Sequence, residues 1–279
     1  MKFHKYHGTG NDFIIFEAID LQSVDYTDLA KRVCDRHLGI GSDGMIVVEK
    51  SDVADIQMIF YNADGSRATM CGNGIRCFAI FVTDYQLVKR HEFTVETLAG
   101  IMKVEVVHSS DYESRVRVNL GQPIFEHHAI PKTSITTRYM NQPISIDSEL
   151  YHISTLIIGT IHTVLFVDDF TTLNMESIGG KIEQHPLFPM KTNVNFCQVI
   201  NQDKINVVTW EKGVGLTLAC GTGAAASAIV STLLYGCDSE QKVKVAGGEL
   251  LIQQQNEEIF MAGPATLICQ GEYYFPRII

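Results

Sequence analysis

The sequence predicts an α+β fold, strands wrapped on a few helices, arranged as two pseudo-symmetric halves. Three observations carry that prediction. Short apolar or alternating segments far outnumber helical ones. Two glycine-framed cysteine motifs, Cys71-Gly72-Asn73-Gly74 and Cys220-Gly221-Thr222-Gly223, stand 149 residues apart (220 − 71). Other positions repeat at the same offset.

In chain order, strands are expected at 13–16, 45–48, 56–61, 93–96, 101–107 and 115–120, and in the second half at 163–167, 194–200, 204–210, 243–245 and 249–253. Helical patterns cover 28–34, 74 to about 87, 175 to about 185, and the small-residue stretch 223–234, which Gly236 ends. Sliding the chain by 149 places Gly10 on Gly159, Asn62 on Glu211, Gly65 on Val214, Cys71 on Cys220, Gly72 on Gly221 and Gly74 on Gly223. Thr97-Leu98-Ala99-Gly100 then resembles Val245-Ala246-Gly247-Gly248 after a one-residue slip. The expected domains are 1–119 with about 266–279, carrying Cys71, and 120–265, carrying Cys220, with an active site in the cleft between them.

Composition narrows the function. Of 279 residues, 46% are hydrophobic and 19% charged, an ordinary globular balance. The net charge of −10 argues against non-specific binding to nucleic acid or an anionic membrane and favours a small-molecule partner. The first residues lack the apolar core of a secretory signal, and no apolar run is long enough to span a bilayer, so the expected location is the cytoplasm. Seven cysteines without a CxxC pair suggest neither a disulfide framework nor a zinc site, and no metal is expected.

Each cysteine motif follows a strand and a nine-residue loop and precedes a helix. A thiol at a helix start feels the positive end of the macrodipole, which favours the thiolate. The neighbouring glycines let backbone amides approach an anion such as an α-carboxylate. A thiolate and a thiol on opposite faces of one carbon form the minimum acid–base pair for inversion. Cys34, Cys77, Cys197, Cys237 and Cys269 lack such a frame and read as packing residues. The segment His7-Gly8-Thr9-Gly10 is only a lone GxG without the P-loop lysine, so nucleotide binding is not expected.

The motifs His7-Gly8-Thr9-Gly10-Asn11-Asp12-Phe13, Gly39-Ile40-Gly41-Ser42-Asp43-Gly44, Asn62-Ala63-Asp64-Gly65-Ser66, Met70-Cys71-Gly72-Asn73-Gly74-Ile75-Arg76-Cys77, Glu96-Thr97-Leu98-Ala99-Gly100 and Ala219-Cys220-Gly221-Thr222-Gly223 resemble the diaminopimelate epimerase family along essentially the whole chain. The resemblance implies two similar domains, each a barrel-like sheet around a central helix, with the last strand returning to the first domain. It implies a cofactor-independent epimerase in which Cys71 and Cys220 exchange the roles of base and acid. Gly72, Asn73, Gly221 and Thr222 would bind the α-carboxylate through backbone amides. Asn11, Asn62 and Asn193 match substrate-contacting asparagines, and His162 and Glu211 match polar residues beside the reacting centre.

The departures cluster. Where the family has Gly-Asn-Pro-His this chain has Gly159-Thr160-Ile161-His162, and where it has Glu-Arg-Gly this chain has Glu211-Lys212-Gly213. In the family those side chains hold the distal end of diaminopimelate, and Arg to Lys replaces a bidentate fork by a point charge. Diaminopimelate is therefore the leading substrate, with racemisation of another amino acid such as histidine as the alternative. A non-catalytic amino-acid-binding protein and a pyridoxal enzyme are further rivals, opposed by the two retained thiols and by the lack of a recognisable phosphate site. A homodimer is a candidate assembly.

Overall fold

The chain opens with an antiparallel hairpin, β1 (Lys2–Gly8) and β2 (Asn11–Glu17). Its two turn residues, Thr9 and Gly10, both take positive φ (50° and 88°), as short hairpin turns matched to strand twist require. The computed structural model describes residues 1–21, 23–110, 113–132 and 138–274. The chain divides into two units, Met1–Val118 with the segment from Gly263 onward, and Asn119–Ala262. Residues 275–279, expected in the first domain, lie outside the described residues.

In the first unit β2 runs parallel to β3 (Gly44–Glu49) through α1 (Tyr26–Cys34), whose N-cap Asp25 accepts from the Thr27 N–H at 2.9 Å. β3 turns back into β4 (Ile56–Asn62), and a two-residue β5 (Arg67–Ala68) pairs with it. Next comes α2 (Gly72–Asp84), and then β6 (Glu92–Thr97), parallel to β4. β7 (Gly100–Ser110) and β8 (Glu113–Gly121) continue antiparallel.

The second unit repeats this order. After β9 (Gln142–Ile146), the hairpin β10 (Glu149–Ile158) and β11 (Thr160–Phe166) turns at Gly159, φ 69°. β11 runs parallel to β12 (Asn193–Asn201) through α3 (Met175–Glu183), and β12 turns back into β13 (Lys204–Glu211). The short β14 (Gly215–Thr217) and α4 (Gly221–Tyr235) follow. β15 (Glu240–Val245) lies parallel to β13, and β16 (Gly248–Gln255) and β17 (Glu258–Glu272) close the series. The far part of β17 pairs with β1, and β17 also pairs with β8, so the strands of the first unit form a closed ring.

α2 and α4 are the central helices. Every residue from Asn73 to Val82 is buried, as are Gly223 to Ser231, so neither helix has the polar face of a surface helix. α2 fills its sheet with Ile75, Phe78 and Phe81. α4 is built largely of alanine. The outer sheet faces carry separate cores: Leu29 and Val33 of α1 on Ile14, Phe16, Met45 and Val47, and Ile178 and Ile182 of α3 on Leu165, Val194 and Phe196. Strands β2 and β11 are thus covered on both sides, which explains five consecutive buried positions in each.

Six strands escape the sequence pattern: β1, β5, β9, β10, β14 and β17. Lys2, His4 and Lys5 break the alternation of β1, and Gly263-Pro264 interrupts β17. The nine-residue loops before the cysteines each contain a short strand, β5 or β14. α2 ends at Asp84, three residues before the expected end. Cys34, Cys77, Cys197 and Cys237 are buried as packing residues, but Cys269 is exposed, a correction to its reading. It pairs with Lys5 of β1 on a strand whose final residues face solvent. Among the described residues no helix is long and apolar enough to cross a membrane.

Candidate active site

Cys71 is the N-cap of α2, with extended backbone (φ −136°, ψ 122°), and its carbonyl takes the first helical bond from the Ile75 N–H at 2.9 Å. Cys220 occupies the same place on α4 (φ −120°, ψ 109°), bonded to the Ala224 N–H at 2.9 Å. A helix start leaves its first N–H groups without intrahelical acceptors. Gly72, Asn73, Gly221 and Thr222 supply those groups beside each thiol.

In the first unit the Cys71 sulfur donates to Asn11 Oδ1 at 3.6 Å, and Asn73 Nδ2 donates to the same oxygen at 3.3 Å. Asn11 Nδ2 is bound by the Asp43 carboxylate at 2.5 Å. Asp43 and Asp12 share Arg36, at 2.7 and 2.8 Å, and Lys5 adds a 3.0 Å ion pair to Asp12. Burial alone would raise the Asp12 pKa, but the hydrogen bonds from Arg36 and Lys5 outweigh it and hold the carboxyl below its usual range. Beneath this network lies Arg76, fully buried, donating to Asn73 Oδ1 (2.9 Å), Thr9 Oγ1 (3.1 Å) and the carbonyls of Gly72 (3.1 Å) and Pro264 (3.3 Å). Asn62 ends β4 opposite Gly44, and its amide is engaged by Ser66 Oγ at 3.0 Å.

The second unit surrounds its thiol differently. Cys220 Sγ lies 3.6 Å from Thr222 Oγ1, which lies 2.9 Å from His162 Nε2. His162 is fully buried on β11, and burial lowers its pKa to about 3, so the imidazole is neutral. Its other nitrogen faces Asn195 Nδ2 at 3.2 Å. Asn193 opens β12 opposite His162, and its Oδ1 accepts the Lys212 N–H at 2.9 Å. Glu211 ends β13, and its carboxylate accepts from Thr217 Oγ1 at 2.7 Å; burial raises its pKa against that bond. Thr160 opens β11 across from Ile158.

The structure therefore joins Asn11, Asn73 and Cys71 in one network, and His162, Thr222 and Cys220 in another. Asn62 and Glu211 occupy matching strand ends, with side chains turned to the segments that follow. Asn195, Arg76 and Asp43 were not assigned roles from sequence. Asp43 and Arg76 lie inside quoted motifs, whereas nothing around Asn195 marks it. Among the other buried thiols, burial raises Cys77 and Cys197 well above the ordinary range and pushes Cys34 up to about 11, so all three stay protonated.

A cysteine thus stands at the start of the buried helix in each of the two units. The fold is shared with a phenazine biosynthesis protein of the PhzF family from Bacillus anthracis, with a TM-score of 0.71 at 16% identity over 99% of both chains. The family model for diaminopimelate epimerase matches residues 3–126 and 155–268. A diaminopimelate epimerase from Caldanaerobacter subterraneus subsp. tengcongensis is 46% identical over 273 residues, covering 98% of this chain and 99% of that one. One from Alkaliphilus metalliredigens is 46% identical over 275 residues, covering 98% and 97%. The chain belongs to the diaminopimelate epimerase family, and it is an isomerase.

Proposed function

We propose that the protein interconverts LL- and meso-diaminopimelate without a cofactor, by a thiolate at one of Cys71 and Cys220 and a thiol at the other. The observation that carries this reading is the duplicated N-cap cysteine on two buried helices. In this scheme the thiols address opposite faces of the α-carbon. The amides of Gly72, Asn73, Gly221 and Thr222 hold the α-carboxylate where charge develops as the proton leaves. Asn11, Asn62 and Asn193 contact the amino acid. His162, kept neutral by burial, and Glu211 flank the reacting centre.

At the distal end Thr160 and Lys212 take the places of the family's asparagine and arginine. Lys212 is held through its backbone by Asn193, which leaves its ammonium to act as a point charge for the distal carboxylate. The curated relatives at 46% identity favour diaminopimelate over the histidine alternative. The proposed location is the cytoplasm, suiting two thiols that must stay reduced. A homodimer remains the proposed assembly, which sedimentation velocity checks.

The test is α-deuterium incorporation from D₂O, followed by proton NMR over a panel containing LL-diaminopimelate and L-histidine. Washout of the α-proton of diaminopimelate, with histidine inert, is expected. Washout from histidine alone would replace the substrate, and washout from neither would end the epimerase reading.

A further inference from the structure

The last residue of α3 is a carboxylate in an unfavourable place. Glu183 is buried, and it stands at a helix C-terminus, where the negative end of the macrodipole opposes an acid. Neither helix stability nor core packing accounts for it. Its two oxygens face two neighbouring segments instead. Oε1 accepts from the Lys191 ammonium at 3.0 Å, and Oε2 accepts from the Trp210 indole N–H at 2.7 Å. The Gly213 backbone N–H bonds to the same carboxylate. Burial would raise the pKa of this group, but the hydrogen bonds from Trp210 and Lys191 outweigh it and hold the carboxyl below its usual range.

The ring of Trp210 is fitted to this end of α3. A Cβ at Gly179 would come within 2.8 Å of Trp210 Cβ and Cγ, so the helix face has to be bare for the indole to lie on it. Glu183 stands one helical turn beyond Gly179 and meets the indole N–H. Lys191 leads into Asn193 at the start of β12, and Trp210 leads into Glu211 and Lys212 at the end of β13. The carboxylate thus ties together the two segments that deliver these groups, and Asn193 Oδ1 closes the circuit on the Lys212 N–H at 2.9 Å. Glu211 has anchors of its own, its pairing with Gly215 and its bond from Thr217. Lys212, Gly213 and Val214 lie beyond that last strand pair. Their N–H groups bond to Asn193, Glu183 and the Glu211 carbonyl in turn.

We propose that Glu183 is a positioning residue for substrate recognition, holding the 212–214 loop so that Lys212 meets the distal carboxylate of the amino acid. This rests on the reading of Lys212 given above and adds the group that keeps it in place. Glu183 acts through Trp210 and Gly213, not by contact with the substrate.

The experiment compares hydrogen exchange and kinetics in the full-length protein and in Glu183→Gln. A glutamine cannot accept from all three donors, because its amide nitrogen meets one of them as a second donor. By NMR, exchange at the Trp210 indole N–H and at the Lys212 and Gly213 amides should speed up about tenfold or more, and the indole signal is unambiguous because the chain holds a single tryptophan. The amides of Phe196 and Val207, inside β12 and β13, should keep their rates. On whichever amino acid the wild-type protein inverts, KM should rise about tenfold while kcat changes less than about threefold. Should Glu183→Gln not fold, Trp210→Phe removes one donor, keeps an aromatic ring on Gly179, and should speed Gly213 exchange and raise KM by a smaller factor. Unchanged exchange in the loop, acceleration spread evenly over β12 and β13, or a fall in kcat at constant KM overturns the proposal. The epimerase reading fails separately, if the wild-type protein inverts no amino acid; the exchange measurement needs no turnover.

Discussion

The two units carry one backbone plan and two electrostatic designs. Around Cys71, a half-buried thiol, the groups are ionic: Asp43, Asp12, Arg36 and Lys5 near the surface and Arg76 beneath. Behind Cys220, a buried thiol, runs a chain of neutral groups: Thr222, His162, Asn195 and Thr209. The position matching Arg76 is Ala225 (76 + 149), also fully buried. Both units thus keep the helix start that presents the sulfur, while the side chains behind it differ.

The comparison breaks most sharply at the sulfurs themselves. Cys71→Ser and Cys220→Ser should each cut inversion about 10³-fold, within the range of a lost general acid or base. Substrate deuterium exchange and inversion, measured together, check this. Full inversion in either variant would sink the two-thiol reading.

Next comes the buried cation. Arg76→Met removes the guanidinium that donates to Asn73 Oδ1 and Thr9 Oγ1 and should destabilise the protein by about 2–4 kcal/mol. Urea denaturation measures it. A loss below about 0.5 kcal/mol would show that the ionic layer contributes little to stability.

A smaller contrast comes from the matched glycines of the two motifs. A Cβ at Gly223 would overlap Asn195 Oδ1 and sit 3.0 Å from Thr209 Oγ1, atoms held in place by their own hydrogen bonds. At Gly74 the nearest atoms are Cys71 Cβ at 3.3 Å and Ile46 Cδ1 at 3.4 Å. Gly223→Ala should cost about 1–3 kcal/mol and Gly74→Ala less, read as shifts in thermal midpoint.

The last contrast is a slope. The unfolded chain protonates His162 near 6.5 whereas the native site resists until about 3. As pH falls below 6.5 the unfolded state binds more protons, so stability is lost at up to about 1.4 kcal/mol per pH unit until the native pKa is reached. Asp12, depressed in the native state, adds a second loss as pH falls through and below its ordinary range. Urea midpoints between neutral pH and pH 4 should show the slope, and His162→Asn should flatten it. An unchanged slope in that variant would assign the acid sensitivity to the ionic half instead.

Much of this site was legible in the residues. The repeat offset placed Asn62 and Glu211 at equivalent strand ends and the two cysteines at equivalent helix caps, because duplicated backbones keep glycines where only glycine fits. Strands buried on both faces announced themselves as apolar runs. β1 and β10 did not, since Lys, His and Thr interrupt their pattern and only pairing with β17, β2 and β11 makes them strands. Cys269 looked like any unframed cysteine, and its exposure depends on which stretch of β17 is covered.

By itself the sequence determined the chemistry on offer: two thiols, each followed by glycines at a helix start, in a chain whose composition suits a small-molecule enzyme. Spacing along the chain is sufficient for that, because N-cap geometry is local. The surroundings of each thiol were decided only in three dimensions. Asn195 reaches His162 across neighbouring strands, and Arg76 reaches Asn73, Thr9 and Pro264 from inside a closed sheet. A side chain's role as donor or acceptor is set by the partner it meets, and those partners lie far apart in sequence.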